Sequence, residues 1–290
     1  MGETPSASIE QYSGGEPYAE VIDEPGGLLP YAKKHVGDLK FADLEATVSL
    51  DAHATFFRWV RDAWFGDPGR DRVVLYPLDA GSGSRTLELA KAHVHEVVLP
   101  GLDTSSREKR SLVVRITPRA VRRVRTGSTG SMAMPRQIRE FYAQNFTVNI
   151  DGLDCSGVLS VDPIVVHTKL PEENNGRTPV LVFPDLHLHL DADKAEPFHE
   201  WFEDFIIRGN NDDEQEKGGS ITYLDPLLSD PLGVLILHHL GIYRIADEPP
   251  NAQGIRRVRV DLYCERMELS PTGVAAGNTE QGLPPVHIPD

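Results

Sequence analysis

The chain carries an internal repeat. Displaced by 142 residues, residues 39–67 fall on 181–209 without a gap. Leu39 meets Leu181, Phe41 meets Phe183, Asp43-Leu44 meets Asp185-Leu186, Asp51 meets Asp193, Phe56 meets Phe198, Trp59 meets Trp201 and Asp62 meets Asp204. A repeated unit this long is one supersecondary module used twice. It shifts the expectation from a lone active site towards a structural or assembly role.

Each copy reads as a strand, an acidic turn and an amphipathic helix. In DLKFADLEATVSLD, Leu44, Ala46, Val48 and Leu50 share one face, and Glu45, Thr47, Ser49 and Asp51 share the other. That alternation predicts a half-buried strand. Phe56, Trp59, Val60, Ala63 and Trp64 follow at helical spacing, as do Phe198, Trp201, Phe202, Phe205 and Ile206 in the second copy, so each helix buries one stripe. Asp51 is expected near the first helix start. Asp193 with Glu196 three residues on is expected to form a capping box.

Three strands are predicted after each helix: RVVLYPL, TLELAKAHVHEVVL and SLVVRITP, then SITYLDP, VLILHHLGIYRIA and RRVRVDLYCERMEL. Leu112, Val114 and Ile116 align with Val258, Val260 and Leu262. The second copy adds an opening hairpin in FTVNIDGLDCSGVLSVDPIVVHTKL, of which residues 17–30 hold at most a remnant. One helix on an antiparallel sheet gives a mainly β (α+β) expectation of two tandem antiparallel β-barrel or sandwich units, each with one amphipathic helix. The expected organisation is a disordered tail over 1–16, units over 17–125 and 145–269, a Gly/Ser-rich linker over 126–144 and a flexible tail over 270–290.

At 290 residues there is enough chain for two cores. The net charge of −15 disfavours specific nucleic-acid binding or an anionic membrane surface. The opening residues lack the basic and apolar regions of a signal peptide, and no run has membrane-spanning length. Assembly in the cytoplasm is therefore expected. Cys155 and Cys264 have no metal spacing and are expected to be free, buried thiols.

His187-x-His189-x-Asp191 is the most metal-like pattern, because alternate strand residues point one way. The aligned Glu45, Thr47 and Ser49 make the same face simply polar. His199, His238-His239, His93 and His95 add imidazoles without a set spacing, and adjacent strand residues face opposite ways. GSGSRT at 81–86 lacks the strand–loop–helix context and Lys of a phosphate loop. No catalytic, cofactor-binding or metal-binding residue is assigned, and no enzyme activity is expected. Arg107, Lys109, Arg110, Arg115, Arg119, Arg122, Arg123 and Arg125 concentrate positive charge, either as a solvated edge or as a docking strip for an acidic neighbour. Trp59, Trp64 and Trp201 are read as core.

FTVNIDGL at 146–153, LHLHLDADKAEPFHEWFEDF at 186–205, LGVLILHHLGIYRIADEP at 232–249 and RRVRVDLYCERMEL at 256–269 resemble, in that order, the phage tail-tube family shared by contractile injection systems. The resemblance covers the second half directly and the first through the repeat. Tyr243 stands where members carry a Trp, and Cys264-Glu265-Arg266 stands where a His-Glu-Gly ending is expected. What the resemblance implies is a structural component of a phage tail or injection particle that forms rings by sheet pairing between subunits. The two-unit form is similar to a hub or adaptor, in which three chains give a trimer with pseudo-sixfold symmetry. Tube, sheath or baseplate proteins would be its neighbours. The alternatives are a metal-dependent hydrolase using His187 and His189, or a β-sandwich binding module.

Overall fold

The structure, a computed structural model, describes residues 7–25, 31–65, 70–76, 85–125, 138–168, 181–250 and 254–271. It is mainly β, with 57% strand against 13% helix, arranged as two curled half-barrel sheets.

The first half supplies β1 (Ile9–Gly14), β2 (Pro17–Glu24), β3 (Lys33–Phe41), β4 (Leu44–Val48), α1 (Ala54–Trp64), β5 (Arg70–Leu75), β6 (Arg85–Leu99), β7 (Leu102–Asp103), β8 (Lys109–Arg110), β9 (Leu112–Thr117) and β10 (Ala120–Arg125). The second supplies β11 (Phe141–Tyr142), β12 (Phe146–Ile150), β13 (Val158–Val161), β14 (Ile164–His167), β15 (Leu186–Asp191), α2 (Glu196–Phe202), β16 (Lys217–Leu224), β17 (Pro231–Glu248) and β18 (Arg257–Pro271). One sheet runs β1-β4-β9-β6-β10, with β5 and β14 also paired to β6. The other runs β12-β16-β17-β18-β15-β13-β7.

The repeat extends to the pairing register. Leu44, Ala46 and Val48 lie opposite Ile116, Val114 and Leu112, and Leu186, Leu188 and Leu190 lie opposite Leu262, Val260 and Val258. Val94 faces Ile116 as Ile242 faces Leu262. Three residues before each, the strand bends at a left-handed residue, Lys91 (φ 47°) in β6 and His239 (φ 55°) in β17. Such a bend lets one long strand serve two sets of neighbours. The bulge in β1 between Ile9 and Gln11 recurs in β13 between Val158 and Ser160, against the aligned residues of β4 and β15. Because side chains alternate with period two, keeping register keeps the same residues in the core.

The cut expected between 125 and 145 is crossed in both directions. β14, from the second half, pairs with the end of β6: Ile164 opposite Leu99 and Val166 opposite Val97. β7, from the first half, pairs with β13. The helix α1 rests on β18 as well as β6. Phe57 is fully buried, and a Cβ on Gly233 in β17 would lie 3.6 Å from its ring. Trp64 meets Phe183 edge-on at 5.8 Å. The buried side chains of both sheets therefore form one contiguous core.

Several expectations are corrected. The 1–16 tail is not wholly disordered: β1 pairs with β4, and residues 1–6 lie outside the described ones. DLKFADLEATVSLD breaks at Ala42–Asp43, where β3 leaves to pair with β2. Gly14 marks the opposing corner, at φ +91°, where a Cβ would meet the Asp43 carbonyl oxygen at 1.9 Å.

The opening hairpin of the second copy does not form, because β12 pairs with β16 and β13 with β15. Two turns within 150–158 connect strands near opposite margins of the curled sheet. The linker expected over 126–144 is packed from 138 on. Phe141 is buried against Tyr223, with ring centres 5.4 Å apart, and 126–137 lie outside the described residues. Ser270 and Pro271 complete β18, and the rest of the 270–290 tail lies outside the described residues.

His53, not Asp51, caps α1, accepting from the Thr55 N–H. Asp51 instead takes the Arg139 backbone N–H at 3.0 Å and its guanidinium at 3.0 Å, which ties the linker to the first unit. The capping box is absent too. Asp191 caps a short turn over Ala192–Lys194, and α2 starts at Glu196 behind Ala195, which offers no side-chain cap. Helix α2 ends in a π turn over Glu203–Ile207, leaving Ile206 exposed rather than in the stripe.

Candidate assembly surfaces

The outer, solvent-side faces of the two sheets carry their polar residues in ladders, and the repeat aligns one with the other. In the first unit Arg115 on β9 lies between Glu45 on β4 and Glu96 on β6. Its Nε donates to Glu45 at 2.8 Å, and Nη1 bonds Glu96. In the second unit Asp261 on β18 lies between His187 on β15 and Arg244 on β17. His187 Nδ1 sits 2.7 Å from Asp261, Arg259 Nε donates to it at 2.6 Å, and Arg244 lies at 3.7 Å. The central position thus holds a cation between two carboxylates in one unit, and a carboxylate between an imidazole and a guanidinium in the other.

Burial raises the Asp261 pKa, but the bonds from Arg259 and His187 outweigh it and hold the carboxyl below its usual range. A depressed carboxyl stabilises the fold above its unfolded pKa and loses that contribution as pH falls through the folded value. Asp261→Asn is therefore expected to lower stability by about 1.5–3 kcal/mol at neutral pH. In urea titrations its difference from the native chain should close as pH drops below the ordinary carboxylate range.

The imidazoles singled out in the sequence are dispersed rather than gathered at one site. His189 is held by Glu248 (2.8 Å) and Asp162 (3.2 Å), and Asp191 is a turn cap. His95 meets Thr117 at 3.0 Å, His93 meets Thr168 at 3.4 Å, and His199 is exposed on α2. His238 lies 3.5 Å from Glu268. Burial first, then Arg266, lowers its pKa.

Among the described residues, one group has donor atoms close enough to hold an ion. It joins Glu216, His239 and Glu265 within 4.8 Å of one another and includes neither His187 nor His189. Glu216 already takes the Tyr263 hydroxyl at 2.6 Å and His239 at 2.8 Å. Cys155 and Cys264 are free thiols, and burial pushes Cys264 up to about 11. Gly81–Ser84 of the glycine-rich stretch lie outside the described residues, and Arg85 opens β6.

Much of the basic strip is paired within the chain. Arg122 and Arg72 share Glu88, Lys109 contacts Glu10 and Glu140, and Arg110 contacts Glu108. Arg123 and Arg125 project from β10, exposed and without an ion pair among the described residues. Other surfaces stand open. The β2–β3 hairpin forms a two-stranded sheet of its own and exposes Tyr18, Val21, Ile22, Val36 and Leu39, with Val21 at 63%. A hairpin alone is marginal in water, and exposed apolar patches mark contact sites. Residues 241–248 of β17 have β18 on one side and no strand on the other among the described residues. These edges were invisible to sequence reasoning. The charge inversion at Arg115 and Asp261 was not, because aligning β9 with β18 displays it.

No helix among the described residues is long and apolar enough to cross a membrane. No family model matches the chain, and no curated protein matches it.

Proposed function

We propose that this protein is a structural subunit of a phage tail or contractile injection particle, a tandem tube-like chain that forms a ring as hub, adaptor or tube element. It is not an enzyme in this reading. One observation carries the proposal: two copies of one fold are joined by exchanged strands and a shared helix contact, and among the described residues the counterpart of an edge used in that joint, residues 243–248 of β17, has a strand on one side alone. An open, flat edge in a lone protein invites aggregation, and closed repetition of the joint removes it. Three chains would present six units. The polar outer faces and the net charge of −15 suit a surface past which a polyanion moves without sticking.

Light scattering on the purified chain tests this. The expected mass is close to three times the 32.1 kDa of one chain. A chain that stays single at every concentration, with stoichiometric zinc lost on changing His187 and His189 to Ala, would instead favour a hydrolase.

A further inference from the structure

Within the chain, the second unit lends β14 to the first sheet, and the first unit lays α1 on the second. The end of β6 accepts β14 along its open side, and α1 lays Phe57 over Gly233 beside β18, whose Leu269 is buried. The repeat assigns a counterpart to each of these parts of the seam. The end of β6 corresponds to residues 243–248 of β17, and Phe57 corresponds to His199 on α2. β14 follows β13 as β2 follows β1, after a two-residue corner in each case. Leu269 faces Leu235 as Arg123 faces Leu87. Among the described residues all four counterparts are exposed or carry an open edge: β17 from 243 to 248, α2 at His199, β2 and Arg123 on β10.

We infer that a second copy of this chain docks there, its β2 on the open edge of β17 and its β10 on the outer face of α2. This repeats between chains the seam that joins the units within one. The inference rests on the ring reading above and specifies its interface.

The chemistry of the two sides fits. Residues 17–125 carry 17 Lys and Arg against 15 Asp and Glu, a net +2. Residues 145–269 carry 10 against 23, a net −13. Where the internal seam is apolar, the external one sets Arg123 and Arg125 against Glu196 and Glu203, which share the His199 side of the helix with Ile206 at 38% exposure. A polar seam of opposite charges suits a contact that must wait until separate chains meet, because charge complementarity guides encounter and register. The direction is head-to-tail, acidic second unit to basic first unit, so the pairing propagates without leaving two like faces together.

Charge reversal tests it. Glu196→Arg with Glu203→Arg, and separately Arg123→Glu with Arg125→Glu, are each expected to weaken self-association at least about tenfold by light scattering at low salt. Combining all four changes should restore it. Thermal unfolding controls for any loss at the helix start, where Glu196 lies. Glu203→Arg alone leaves that start untouched and should weaken association in the same sense. If the native chain assembles and neither pair changes its mass, or if the fourfold variant fails to recover, the seam is wrong while the ring reading stands. A native chain that remains monomeric at every concentration removes both.

Discussion

Replacing Phe57 with Ala is expected to destabilise the whole chain by about 3–5 kcal/mol. The ring is fully buried where α1 of the first unit meets Gly233 of the second sheet. Removing it leaves a cavity between two elements that cannot collapse independently, since α1 is also held by the buried side chains of Phe56, Trp59 and Val60. Because the cavity lies at the joint, both halves should lose stability together. Urea unfolding followed by tryptophan fluorescence reads this directly, as Trp59 and Trp64 lie on α1 at the joint, Trp64 against Phe183, and Trp201 lies on α2 of the second unit. Fluorescence and far-ultraviolet circular dichroism should give coincident transitions with a lower midpoint. A change below about 1 kcal/mol would mean that the two units do not share a core at α1.

Val166→Asp should cost as much or more. Val166 on β14 is fully buried opposite Val97 of β6, so the new carboxylate would enter the first sheet's core without a partner. An unpaired charge there costs several kcal/mol, unless the strand leaves or the group takes up a proton. Its pKa would rise, so the penalty is full at neutral pH and eases as pH falls towards 5. Val166→Ala removes only apolar volume and should cost about 1–3 kcal/mol with no such pH dependence. Equal losses for both variants at neutral pH would show that β14 does not hold the units together.

What the chain discloses before folding is what local periodicity can carry. Leu44, Ala46 and Val48 and their counterparts Leu186, Leu188 and Leu190 alternate, and the structure pairs both sets in one register. Phe56, Trp59, Val60, Ala63 and Trp64 repeat at helical spacing, and α1 buries all five. Partner choice is another matter. β7 has two residues and β14 four, too few for a period to show, and each pairs with a strand of the other unit. FTVNI and VLSV look like neighbours because only seven residues separate them, yet the curl of the sheet gives each a different partner.

Asp51 illustrates the same limit at one residue. Its type suits a helix cap, but capping depends on where the backbone turns, and His53 occupies the extended conformation that a cap requires. Arg139, 88 residues away, claims the carboxylate instead. The polar pattern at His187 and His189 was legible as a face, and the face is a charge ladder whose sign depends on Asp261 and Arg244, supplied by other strands.

Electron microscopy of the assembled protein tests whether the doubled fold continues from chain to chain through the contact that joins its halves. Closed rings of six similar lobes are expected, in which only every second lobe is identical, three chains to a ring. Class averages of single two-lobed particles, or of rings whose lobes meet through two like units, would contradict this.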